Sequence, residues 1–448
     1  MGRKRHGCLK GILLIVVIAC AAVLVAKLLT GQESSSDPVI SQKVVDTASA
    51  EITLHSAVSL AEETEGNMQQ ITRISLPTVK GCNPVQYQQG LDSLTDPGMQ
   101  DLYEKMEEKV YRVAEKPAEN GLYPTERIVV RGSELTAGEI VQVIYAFSHD
   151  HPEIFWISGQ YGYSIGGGNT TIQLYATASA AECSKLSKNI LTQIESILGK
   201  LSPNISALDR EITIYNEIIA RCTYDDAAAS DDSDWRAHSI VGVFLDDEAV
   251  CEGYARAVQL LLNQAGVPCM LATGTAGGAH MWNLVRIDGQ WYHADPTWDD
   301  NGSVPLYQYL NVTDAMIRQD HTLYAVASET EEVQPDKLYN LPLPSCTATK
   351  ANYFQARGVQ IRSDDPYLLT AELKRAAENG DKAVYLYIDE SLDYDTMVRK
   401  LFQEDPFMLY TAVESVNSEG GAQLSYTDCT YVEAKACRGV AVMLSYTQ

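Results

Sequence analysis

Three residues in the stretch from Ala249 to Asp300 have the types needed for thiol chemistry: Cys251, His280 and Asp295. A thiolate attacks a carbonyl carbon, an imidazole carries the proton, and a carboxylate holds the imidazole in the working tautomer. Cys251 stands at the head of a helical pattern, with apolar residues at Tyr254, Ala255, Val258, Leu261, Leu262 and Ala265 marking one buried face. Gly266 and Pro268 then end the helix. At that head the free amides and the positive dipole end favour thiolate over thiol. Most cysteines are simply small buried hydrophobes, so position alone does not make Cys251 a nucleophile.

The hairpin that follows supplies the partners. Met281 to Ile287 and Gln290 to Ala294 are β-prone runs separated by Asp288-Gly289, a dipeptide preferred in two-residue type I′ turns. That turn pairs Ile287 with Gln290, and continuing the register sets Trp282 opposite Asp295 and His280 opposite Thr297. His280 and Asp295 then share a sheet face as diagonal neighbours, roughly 7–8 Å apart at the backbone and within side-chain reach. Asp295 is therefore the carboxylate placed to hold one imidazole nitrogen and leave the other for a thiol. Trp291 and His293 fall on the same face, where a packed aromatic wall is expected rather than a second catalytic histidine. His238 and His321 carry ordinary loop or cap readings.

VCEGYARA followed by HMWNLVRIDGQWYHADPTWDD resembles the transglutaminase-like superfamily of papain-type cysteine enzymes, in the form carried by bacterial membrane-anchored proteins. The likeness extends upstream to IYNEIIARCTYDDAA and downstream to YQYLNVTDAMIRQDHT, and so covers 205–325. It implies an α+β, papain-like core: a helix bearing the nucleophile Cys251, and an antiparallel sheet bearing the base His280 and the orienting Asp295. It also implies acyl transfer at protein or peptide amides through a thioester, resolved by an amine or by water. One departure stands out, because neither Trp235, His238 nor Ser239 clearly matches the side chain that completes the family's oxyanion hole. The Cys251 backbone amide is the one donor expected. The competing function is a surface binding or scaffold protein that keeps the fold with little turnover.

The rest of the chain must present this core. The sequence has 448 residues and a net charge of −25, which speaks against nucleic acid as a partner. Residues 1–8 read as a cytoplasmic tail. The apolar run 9–29, behind Arg3, Lys4 and Arg5, reads as a single transmembrane signal anchor with everything after it outside the cell. A cleaved signal peptide, or lipidation at Cys20, fits less well because the apolar stretch is long and continues past Cys20. Residues 30–80 read as a flexible linker, 81–200 as an α+β accessory domain, and 345–448 as a small α/β domain with a mixed sheet. The accessory and C-terminal domains thus flank the catalytic core.

Among the ten cysteines no CxxC pair or regular spacing supports a disulfide framework or zinc site, though Cys429 and Cys437 could bridge neighbouring strands. His149 and His151 lack a cysteine or carboxylate cluster and read as surface or capping residues rather than a metal pair. Four N-x-S/T sequons, at Asn169, Asn204, Asn301 and Asn311, carry little weight. With no calcium loop in the sequence, neither a cofactor nor a metal is expected, and catalytic activity should survive dialysis against a chelator.

Overall fold

The computed structural model describes residues 71–74, 84–85, 88–230, 233–302, 304–326, 339–420 and 423–447. The proposed tail and anchor, 1–29, and nearly all of the linker lie outside these residues. Among the described residues no helix is long and apolar enough to cross a membrane.

The accessory region combines helices Pro97–Lys109, Ala137–Asp150 and Ala180–Leu198 with a sheet whose long hairpin pairs Ile157–Gly166 with Asn169–Ala176. The start of Ala137–Asp150 is set by a capping box: Thr136 accepts from the Glu139 amide while Glu139 answers the Thr136 amide. Ile71–Arg73, expected in the flexible linker, is instead a strand antiparallel to Arg112–Ala114. Buried Ile74 anchors it, and three residues are too few to show a period in sequence. Of the two histidines read as surface or capping residues, His151 is the cap, whereas His149 is not at the surface. His149 is buried against the Tyr145 carbonyl (3.0 Å), and burial drives its pKa down to about 3. His151 caps the same helix and contacts Glu153 (2.9 Å) and the Tyr103 hydroxyl (3.2 Å).

The catalytic region is a five-stranded antiparallel sheet ordered Leu310–Val312, Gln290–Ala294, Ala279–Ile287, Cys269–Thr275, Thr322–Leu323, with helix Cys251–Gln264 packed against it. The hairpin has the register expected from its turn, Ile287 opposite Gln290. Asp288 and Gly289 both hold the positive φ of a type I′ turn, 49° and 81°. The expectation of a single buried face on the nucleophile helix needs correction, because every residue from Cys251 to Leu262 is buried. Its polar side meets the accessory region, where Arg256 Nη1 donates to the Ser148 carbonyl and Gln259 Nε2 to the His149 carbonyl, each at 2.7 Å. The accessory and catalytic regions therefore share one hydrophobic core.

The C-terminal sheet is ordered Val359–Ile361, Ala383–Ile388, Gly439–Met443, Thr430–Ala434; the first pair is parallel and the others antiparallel. Helices Tyr367–Asn379, Tyr394–Phe402 and Met408–Ser418 cover it around a core of its own. Cys429 and Cys437 do not bridge. Cys429 precedes the ladder at its open end and Cys437 sits in the closing turn, so the strand Thr430–Ala434 separates them. Among the sequons, Asn311 is completely buried and hydrogen-bonded to Glu211 (2.6 Å), which removes it as a glycan acceptor.

Glu211, on helix Ala207–Arg221, gains only that one partner, and burial pushes its pKa up from 4.5 to about 8. The folded state then holds a proton that the unfolded chain releases, so stability drops as pH rises between about 4.5 and about 8. Glu211→Gln should flatten that decline, measured as the urea midpoint at several pH values in this window, while leaving the acid-side midpoint close to wild type.

Candidate active site

Each candidate residue owes its place to a different local rule. Cys251 is the first residue of its helix, after Val250, and is only 2% exposed. His280 lies near the start of strand Ala279–Ile287. Alternate residues of that strand hold the helix, for Asn283 Nδ2 donates to the Ala255 carbonyl (2.9 Å) and Met281 packs with Ala255 and Leu271. Asp295 is not on a strand as expected. The ladder ends at Asn283 opposite Ala294, and Asp295 caps the short helix Pro296–Asp299, with Pro296 in the first helical position. Asp-Pro at the end of an apolar run was the available signal for that turn.

The cap splits the work of the carboxylate. Asp295 Oδ1 accepts from the amides of Thr297 (3.0 Å) and Trp298 (3.2 Å), which leaves Oδ2 for the histidines. His280 Nε2–H donates to Oδ2 at 2.7 Å, so the diagonal pairing read from the hairpin holds although Asp295 has left the sheet. Burial alone would push the His280 pKa down; the charge and hydrogen bond of Asp295, followed by Cys251, outweigh it and hold the ring at about 10. For Asp295, burial would raise the pKa, yet His280 and then His321 hold it well below the usual carboxylate range. The structure thus brings Cys251, His280 and Asp295 together, with Cys251 close enough to His280 to help raise the ring's pKa.

His321, read from sequence as an ordinary loop or cap residue, also reaches Asp295: its Nε2 lies 3.0 Å from Oδ2 and its side chain is fully buried. Sequence spacing hides this contact. After Leu310–Val312 on one edge of the sheet, the chain crosses to the opposite edge at Thr322–Leu323, and His321 is placed where the crossing ends. That last strand runs so close to Gly274 that a Cβ there would meet the Thr322 carbonyl oxygen at 2.0 Å.

Of the three residues considered for the oxyanion site, His238 faces Glu252 at 3.6 Å and the Ala228 carbonyl at 3.3 Å. Burial would lower its pKa, but Glu252 first and Cys251 further behind raise it to about 9. Trp235 stacks on Phe155, and the Ser239 hydroxyl donates to the Arg236 carbonyl. Tyr224 and Tyr324 are both held above the ordinary tyrosine range, by burial first and then by the charge of Cys251.

The aromatic wall is present and ordered. Trp282 Nε1–H donates to His293 Nδ1 (2.9 Å), and His293 Nε2 faces Asp314 Oδ1 at 2.9 Å. His293, Asp314 and Cys346 come close enough to resemble a metal-ligand set. However, an indole can only donate, so a neutral His293 carries its proton on Nε2 and offers no lone pair toward Asp314. The atoms of His280, Asp295 and His321 are similarly close, and there the contacts are those of N–H groups on a carboxylate.

Residues 195–296 match the family model described as the Transglutaminase-like superfamily core, a range that takes in Cys251, His280 and Asp295. No curated protein matches. Among solved structures, a crystal structure of a TGase is 18% identical, with 48% of this chain and 61% of that one covered, at a TM-score of 0.24. A proposed cysteine protease from Cytophaga hutchinsonii is 14% identical (36% and 58% covered, TM-score 0.22), and a proposed protease from Parabacteroides distasonis is 12% identical (32% and 39% covered, TM-score 0.18). The chain spans about three fifths of the first of these and less of the others.

Beneath Asp295, the Tyr215 hydroxyl is shared between the Asp295 carbonyl (2.7 Å) and Asp299 Oδ2 (2.6 Å). Tyr215→Phe should destabilise the fold by about 1–3 kcal/mol, the cost of leaving buried acceptors unpaired, read from urea unfolding.

Proposed function

We propose that the chain, whose residues 195–296 match the transglutaminase-like superfamily model, is an extracytoplasmic, cysteine-dependent acyl transferase or hydrolase acting on protein or peptide amides. The observation that carries this reading is the buried 2.7 Å hydrogen bond from His280 to Asp295, beside a cysteine on the first turn of a helix.

In this mechanism the Cys251 proton rests on His280 Nδ1, as suits a ring held at about 10; Asp295 holds the Nε2–H and fixes the ring, and the Cys251 thiolate attacks the amide carbonyl carbon. Negative charge on the carbonyl oxygen falls to the backbone N–H of Cys251, at the helix end where amides have no intrahelical partner. His280 then protonates the departing amine, leaving a thioester on Cys251. An amine acceptor resolves it to a new amide, giving cross-linking; water resolves it to an acid, giving deamidation or cleavage. No metal or cofactor enters these steps. The anchor at 9–29 would hold the domain at the outer membrane face, where its substrates are proteins or peptides.

The near-complete burial of the Cys251 thiol favours a second reading, a binding or scaffold protein with little turnover. Labelling with an electrophilic thiol probe at neutral pH separates the two. Cys251 should label faster than the other described cysteines, all free thiols, and His280→Ala should slow it by roughly 10²-fold, the low end of general acid–base contributions. Equal rates at all cysteines, unaffected by His280→Ala, would favour the scaffold. Mass spectrometry of surface proteins from cells with and without Cys251→Ala then identifies the acceptor, through lost isopeptide links, lost deamidation or lost cleavage.

A further inference from the structure

We propose that His321 is a positioning residue of this site: a buried imidazole, carrying both ring protons, that fixes Asp295 from behind and shares its charge with His280. The proposal rests on the Cys251–His280–Asp295 reading and extends it by one residue.

Hydrogen-bond accounting comes first. His321 Nε2 lies 3.0 Å from Asp295 Oδ2 and Nδ1 lies 2.6 Å from Asp320 Oδ1. Ionised carboxylates only accept, so both contacts are hydrogen bonds only when both ring nitrogens donate. The surroundings suit a cation. Trp298, Trp282 and Tyr309 enclose the ring at centroid distances of 4.7, 5.2 and 5.3 Å, so that its two nitrogens face the carboxylates of Asp295 and Asp320. Asp320 is itself held, because the Tyr309 hydroxyl donates to its Oδ2 at 2.6 Å. The chain His280–Asp295–His321–Asp320 thus alternates cation and anion from the thiol outward to a partly exposed carboxylate.

Two consequences follow for His280. With Oδ1 tied to the amides of Thr297 and Trp298 and Oδ2 tied to His321, the carboxylate plane is set without help from His280. His280 therefore meets a preformed acceptor. In addition, a second cation on Oδ2 draws off part of the negative charge that would otherwise bind a protonated His280, which makes that ring a readier acid toward a leaving amine. The other titratable groups facing His321 are His280, at 5.5 Å between centroids, and His293, whose lowered pKa comes from burial first and, among smaller effects, from His321.

The test follows carbamidomethylation of Cys251 by iodoacetamide, read by peptide mass spectrometry across acid, neutral and alkaline pH. It uses the full chain as wild type, His321→Ala, His321→Gln, Asp320→Asn and, as the control for the triad, His280→Ala. His321→Ala should lower the neutral-pH rate roughly tenfold through a loosened ring and move the alkaline inflection to higher pH, since Asp295 then gives its whole charge to His280. His321→Gln can still donate to Oδ2 but is neutral; it should recover the rate and keep the shifted inflection. Asp320→Asn, at a partly exposed position, should fall between wild type and His321→Ala. If His280→Ala slows labelling while His321→Ala retains the wild-type rate and inflection, this proposal fails and the triad stands. If His280→Ala changes nothing, the triad reading itself fails. A rate lost in His321→Ala with an unmoved inflection and no recovery in His321→Gln would reduce His321 to packing and overturn the proposal.

Discussion

The arrangement of the site depends on how the two oxygens of Asp295 are divided. One is taken by backbone amides at the head of a four-residue helix, the other by imidazole nitrogens. A buried carboxylate without such partners would be costly and would neutralise; here the partners keep it charged. Asp299, four residues on, has the opposite fate. Burial, against the help of Tyr215 and Tyr309, lifts it to about 8, and the charge on Asp295 adds to the rise. Two acids on one short turn are thus driven apart, one kept ionised beside His280 and one able to remain neutral beneath it.

The helix that begins at Cys251 imposes the second constraint. A helix buried on every side cannot be finished by the sheet alone, so its polar flank needs partners. Glu252 is paired with Arg256 at 2.8 Å and faces His238 at 3.6 Å, and Arg256 continues to the Ser148 carbonyl. Breaking a buried pair of this kind by removing one member strands a charge. The accessory region is accordingly part of the wall that holds Cys251 in place. The C-terminal domain joins differently, through stacked aromatics: Tyr307 lies against Tyr353 at 3.5 Å between centroids, and the Tyr385 hydroxyl donates to the Pro305 carbonyl at 2.7 Å. Most of it closes on a core of its own, while Phe354, Tyr387, Ala434 and Cys437 belong to the core shared with the rest of the protein.

Much of this was open to reading from the chain itself, for physical reasons. Apolar periodicity marked the nucleophile helix, Asp288-Gly289 set a register that side-chain alternation then propagated, and that register selected Asp295 as the partner of His280. The α+β character of 81–200 and the mixed sheet of 345–448 were also legible, because caps, prolines and short apolar runs are local signals. Strand Ile71–Arg73, too short to show a period, was not anticipated.

What the chain alone determined was therefore the set of groups joined by local rules: a cysteine opening a helix, and a histidine and an aspartate brought together by one tight turn. Tertiary structure decided the rest. It closed the polar side of the Cys251 helix with carbonyls from the accessory region and carried His321 across the end of a sheet to the second site on Oδ2. Those contacts join residues 26 or more positions apart, beyond the reach of any helical or strand period, and they form only when separate elements pack.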